Sequence, residues 1–141
     1  MLGSFETASL SPARLPERAE ATMRPLRIVV VEDDAPISML LGEILEDMGH
    51  TVCAIENTEA GAVSSAALWH PDLMIVDLSL GEGCGIAAMD AIQRHGTMPH
   101  VFVSGDISRI RLLRPNAIMA QKPYREADIV DAIQLVVAPR H

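Results

Sequence analysis

Five side chains that could do chemistry together stand at the ends of short apolar runs: Glu32 and Asp33 after Leu26 to Val31, Asp77 after Leu73 to Val76, Ser104 closing His100 to Ser104, and Lys122 after Ala117 to Gln121. Three carboxylates brought into one crevice repel each other and raise each other's pKa unless a cation joins them, and an all-oxygen donor set suits Mg²⁺. Taken singly, each residue has a plainer reading. Glu32-Asp33-Asp34 is also an acidic helix start, Asp77 a turn cap, Lys122 a surface charge and Ser104-Gly105 a common turn pair. Their arrival at corresponding positions of four separate runs is what periodicity alone does not require.

The elements that must position these residues alternate. Leu26 to Val31 is a β-branched run bounded by Pro25 and acids, which predicts a buried strand. Asp34 can cap a helix with Pro36 in its first turn, and Ile37, Leu40, Leu41, Ile44, Leu45 and Met48 keep helical spacing up to Gly49. Thr51 to Ile55 is the second strand, and Thr58 caps a small-residue helix with Ala62, Val63, Ala66 and Ala67 that breaks at His70-Pro71. The third strand ends at Asp77, and Gly81, Gly83 and Gly85 predict a loose connection into a helix through Ile86, Met89 and Ile92, ending near Gly96. After His100 to Ser104 comes a short turn of helix that must finish before Pro115. Ala117 to Gln121 is the fifth strand, and Ile129, Ala132, Ile133, Val136 and Val137 mark a last helix.

Strands that are apolar throughout, separated by amphipathic helices, call for a parallel sheet covered on both faces. The expected fold class is therefore α/β, a doubly wound five-stranded sheet whose ligand site lies outside the carboxyl ends of the strands. Residues 1–24, mixing Ser, Pro, Arg and Glu with few apolar side chains, are expected to be a flexible N-terminal tail, leaving residues 25–141 as one domain.

Through Val30-Val31-Glu32-Asp33, Ile75-Val76-Asp77, Val103-Ser104-Gly105 and Gln121-Lys122-Pro123-Tyr124, the sequence resembles the receiver domain of bacterial response regulators over about residues 25 to 138. The resemblance implies a flavodoxin-like strand order, 2-1-3-4-5. It implies Asp77 as phosphoryl acceptor from a sensor histidine kinase or phosphotransfer protein. Mg²⁺ would be held by Glu32, Asp33, Asp77 and the backbone carbonyl of Ser79, with Ser104 and Lys122 on the phosphoryl oxygens. It further implies a cis peptide before Pro123, where a cis bond costs only about 0.5–1 kcal/mol.

The sequence departs from that family at two points. The position three before the Lys often carries an aromatic residue that reports phosphorylation together with the Ser104 position, and here it is Met119, whose flexible thioether could move between packed and exposed positions. The segment from Ser104 to Lys122 is also short, and with Ser104-Gly105 it is similar to stand-alone receivers of some alphaproteobacterial stress pathways.

Composition narrows the function. A chain of 141 residues with 49% apolar residues fits one domain with a real core. A formal charge of −8 argues against a direct hold on nucleic acid, which needs clustered Lys and Arg. No apolar stretch approaches the ~20 residues of a membrane span, and Cys53 and Cys84 lack partners at zinc-like intervals, so a cytoplasmic protein is expected. The five histidines fall at element ends, as caps or solvent-facing groups, and Arg109, Arg111 and Arg114 could meet an acidic partner or only solvent. Asp77-Leu78-Ser79 lacks the second acid of an aspartyl phosphohydrolase, and Gly81 to Gly85 lacks the Lys-Ser/Thr of a nucleotide loop. The expectation is a signalling switch rather than an enzyme: a stand-alone receiver that alters a protein interaction with an unknown downstream protein or relays phosphate. The alternative is a receiver-like interaction module that works without phosphate.

Overall fold

A computed structural model describes residues 24–138; the expected tail thus lies, but for Arg24, outside the described residues. The elements run β1 (Arg27–Val31), α1 (Ala35–Asp47), β2 (Thr51–Glu56), α2 (Glu59–Trp69), β3 (Leu73–Asp77), β4 (Ser79–Leu80), β5 (Gly83–Cys84), α3 (Gly85–Gln93), β6 (His100–Ser104), α4 (Ile107–Leu113), β7 (Met119–Gln121) and α5 (Glu126–Val137). The five-stranded sheet has the order β2-β1-β3-β6-β7, all pairs parallel, which is the doubly wound flavodoxin-like order.

Side chains alternate between the faces of each strand, and both faces are buried. Ile28, Val30, Leu73, Ile75, Val101 and Val103 pack with Leu41 and Leu45 of α1 and Ile129, Ala132 and Ile133 of α5. Val29, Val31, Met74, Val76 and Phe102 pack against Ala62 and Ala66 of α2, Ala88, Met89 and Ile92 of α3 and Ile110 of α4. Two cores back to back hold the middle strands rigid, so the carboxyl ends of β1, β3 and β6 sit on a fixed platform.

Local chemistry starts the helices. The Asp34 carboxylate accepts the Ile37 N–H at 3.1 Å with Pro36 in the first turn of α1, and Thr58 Oγ1 accepts the Gly61 N–H at 2.9 Å at the start of α2. Helix α2 ends at His70 in the left-handed region, φ 46°, just before Pro71.

Three expectations are corrected. The glycine-containing link after Asp77 is not loose: Ser79–Leu80 and Gly83–Cys84 form an antiparallel hairpin with Gly81 at φ 59° in its turn. The Glu59 carboxylate, reaching from α2, fastens that hairpin by accepting the Cys84 N–H at 2.6 Å. The fifth strand is shorter than expected, because Ala117 donates its N–H to Arg114 O at 3.0 Å in a turn and pairing begins only at Met119. His50 is neither a cap nor solvent-facing: it is 4% exposed, and its Nδ1 accepts the Leu26 N–H at 3.0 Å.

Candidate functional site

Glu32 follows the last residue of β1, Asp77 ends β3, Ser104 ends β6 and Lys122 follows β7, so the parallel register delivers all four to one edge. Glu32 and Asp77 are buried, at 3% and 5% exposure, whereas Asp33 is exposed. Carboxylate oxygens of Glu32, Asp33 and Asp77 lie within 4.8 Å of one another. Glu32 and Asp33 face this group from the β1–α1 turn, while Gly81 places the hairpin beside it: a Cβ there would stand 3.6 Å from Asp33 Oδ2.

Lys122 bridges the two buried acids. Its Nζ donates to Asp77 Oδ2 at 2.9 Å and stands 2.7 Å from Glu32 Oε1. Only the contact to Asp77 is aligned as a hydrogen bond; the contact to Glu32 is an ion pair, and Oε1 is left buried with no hydrogen-bond donor. The other oxygens are held by backbone: Asp34 N–H donates to Glu32 Oε2 and Ser79 N–H to Asp77 Oδ1, each at 3.1 Å. Burial pushes the Glu32 carboxyl up to about 7 against the pull of Lys122, and Asp77 beside it pushes the same way. Burial alone would lower Lys122, but its two carboxylate partners outweigh that and raise it.

The donor set fits a hard divalent cation. All donors are oxygens, three carboxylates face one ammonium, and one buried carboxylate oxygen lacks a donor. Among the described residues this is the only such cluster of His, Cys, Asp and Glu side chains.

Ser104, buried, turns its hydroxyl to its own loop, with Oγ accepting the Asp106 N–H at 3.1 Å and donating to Asp106 O at 3.3 Å. Asp106 in turn caps α4 by accepting the Ser108 N–H at 3.1 Å. Met119 is half-buried, paired with Phe102 across the sheet and packed on the core that contains Ile110 of α4. The Lys122-Pro123 peptide bond is cis. Arg114 does not face only solvent: it donates to Asp90 of α3 at 2.6 Å.

The response regulator receiver domain description matches residues 28–134. The chain belongs to this receiver family. Among curated proteins, this receiver is 31% identical to the transcriptional regulatory protein PdtaR of Mycobacterium tuberculosis, over 81% of this chain and 58% of that protein. It is 28% identical to the phyllosphere-induced regulator PhyR of Methylorubrum extorquens, over 72% of this chain and 40% of that protein. The receiver therefore spans about half the length of the curated relatives it matches. Among solved structures, the response regulator PhyR from Brucella abortus superposes with a TM-score of 0.76 at 23% identity, covering 89% of this chain and 54% of that one, which shows the shared fold. No helix among the described residues of the receiver is long and apolar enough to cross a membrane.

Two contributors to the receiver's site were not anticipated. A Cβ on Gly85 would collide with the carbonyl oxygen of Asp77, so only glycine lets α3 begin against the end of β3. Its place in a glycine-containing link was the available signal, masked by the expectation of a loose loop. Asp106 was unmarked because an N-cap acid is common wherever a helix begins.

Proposed function

We propose that this receiver accepts a phosphoryl group on Asp77 from a phosphohistidine of a sensor kinase or phosphotransfer protein, with Mg²⁺ held by Glu32, Asp33, Asp77 and the Ser79 carbonyl. The observation that carries the reading is the buried Asp77 carboxylate hydrogen-bonded by Lys122 at an edge where three carboxylates converge. In the transfer an oxygen of Asp77 attacks phosphorus, the P–O bond forms as the P–N bond breaks, and the imidazole leaves with the electron pair and takes a proton from solvent. The bound cation would neutralise charge on the phosphoryl oxygens. Lys122, already on Asp77, needs only a small movement to donate to the same oxygens.

Phosphorylation adds about 1.5 to 2 negative charges and three strong acceptors. Ser104 would exchange its contacts to Asp106 for a phosphoryl oxygen, and since Asp106 caps α4, the surface around α4, β7 and Met119 would change. The net charge of −8 supports a protein rather than a nucleic acid as the downstream partner. We place the switch in the cytoplasm, as a non-metabolic signalling protein. One solved PhyR, from Bartonella quintana, is described as an anti-anti-sigma factor, and control of transcription through a protein partner is the output we favour here.

The test is phosphate-affinity gel mobility after incubation with acetyl phosphate and Mg²⁺, then with a phosphorylated histidine kinase. A shift abolished by Asp77→Asn and by EDTA is the expected result. No shift with either donor would overturn the reading in favour of phosphate-independent binding.

A further inference from the structure

The hairpin that follows Asp77 meets the acidic edge at its base and at its turn. Ser79 donates its N–H to Asp77 Oδ1 at 3.1 Å, and Gly81 stands beside Asp33, where a Cβ would lie 3.6 Å from Oδ2. Only two residue pairs, Ser79 with Cys84 and Leu80 with Gly83, make this ribbon. A ribbon that short does not hold its own shape in water. Burial of Leu80 anchors β4, and the tie on β5 comes from another element. Glu59 of α2 accepts the Cys84 N–H on Oε2 at 2.6 Å, across 25 residues of chain. Gly83 makes room for that reach, since a Cβ there would stand 2.7 Å from Glu59 Oε2 and 2.9 Å from its Cγ. The plainer reading of Glu59, an acid in the first turn of α2 facing the helix dipole, requires neither the hydrogen bond nor the glycine.

We propose that Glu59 is a positioning residue for the acidic edge, holding the hairpin so that Ser79 and Gly81 keep their places against Asp77 and Asp33 for a divalent cation. This role rests on the reading of that edge as a cation site. In it Glu59 touches neither the cation nor a phosphoryl group and acts through the hairpin alone. Loss of its hydrogen bond frees β5, and with it the Ser79 N–H that orients Asp77 and the Ser79 carbonyl assigned to Mg²⁺.

Calorimetric titration with MgCl₂ alone tests this. Glu59→Ala should bind about 10-fold more weakly than wild type, the lower end of what a supporting residue contributes around a metal. Gly83→Ala should match it, because the three atoms nearest its Cβ all belong to the Glu59 side chain, a flexible group that can be pushed off Cys84 while the fold stands. It carries the same test if Glu59→Ala does not fold. The two substitutions together should weaken binding no further than either alone. Glu59→Gln keeps an acceptor and drops the charge, so it should stay within about twofold of wild type. Wild-type affinity in either alanine variant, or a loss in Glu59→Gln as large as in Glu59→Ala, would overturn the positioning role and leave the cation site standing. Absence of Mg²⁺ binding by the wild type would overturn the cation site itself, and this role with it.

Discussion

The two ends of the sheet bury polar groups in different ways. At the amino ends, His50 is a single neutral ring whose Nδ1 accepts the Leu26 N–H, and burial holds its pKa below 6.5. At the carboxyl ends, the three acids Glu32, Asp33 and Asp77 face one ammonium, an excess of carboxyl groups over the cation the protein supplies. The amino end carries no unbalanced charge, although the second ring nitrogen of His50, Nε2, is buried without a hydrogen-bond partner. The carboxyl end holds more acidic groups than its one ammonium can balance, the arrangement expected of an edge open to a cation.

That contrast can be broken or sharpened from its largest consequence down. Lys122→Ala should slow phosphorylation by acetyl phosphate roughly 100-fold, the usual loss of one charged donor on developing phosphoryl charge. A variant as fast as wild type would show that Lys122 only neutralises the resting acids. Gly85→Ala should cost about 2–3 kcal/mol in urea unfolding, since its Cβ meets backbone at Asp77 rather than a side chain that could yield.

Glu32→Gln tests the excess of carboxyl groups. The Glu32 carboxyl rises from 4.5 in the unfolded chain to about 7 in the fold, so its stabilising contribution is present in acid and lost as pH rises through about 7. At alkaline pH without metal, Glu32→Gln should therefore be more stable than wild type, by roughly 2 kcal/mol, and should bind Mg²⁺ more weakly. Lower metal-free stability would mean that the ion pair with Lys122 outweighs the burial.

His50 has the opposite sign. Its lowered pKa means the unfolded chain takes up more protons, so stability is full above 6.5 and falls as pH drops below it. The melting temperature of wild type should fall more than that of His50→Asn between about pH 7.5 and 5.5. Parallel curves would remove His50 as the source. The smallest effect belongs to Gly105→Ala, where a Cβ meets nothing within 4 Å. It should change stability by less than about 0.5 kcal/mol.

Much of this was legible in the chain. The alternation of apolar runs with capped helices called for a parallel sheet covered on both faces, because a strand buried on both faces must be apolar throughout, as Leu73 to Val76 is, while the strand order came only with the resemblance to receivers. The positions of Glu32, Asp77, Ser104 and Lys122 after such runs put them at one edge for the same reason. The hairpin Ser79–Leu80/Gly83–Cys84 was not legible, since it is held by Glu59 on another element, and glycines read locally as looseness.

What the sequence by itself determined are features set within a few residues: strand and helix periods, the Asp34 and Thr58 caps, and the polar residues at strand ends. What only the tertiary structure decided is the environment of each polar atom. Lys122 lies 45 residues from Asp77 in the chain, yet its ammonium hydrogen-bonds one oxygen of that carboxylate. Asp33 is exposed beside the buried Glu32, His50 is enclosed rather than solvated, and Tyr124 hides its hydroxyl. Burial and electrostatics depend on which distant elements close over a group, and no local pattern carries that information.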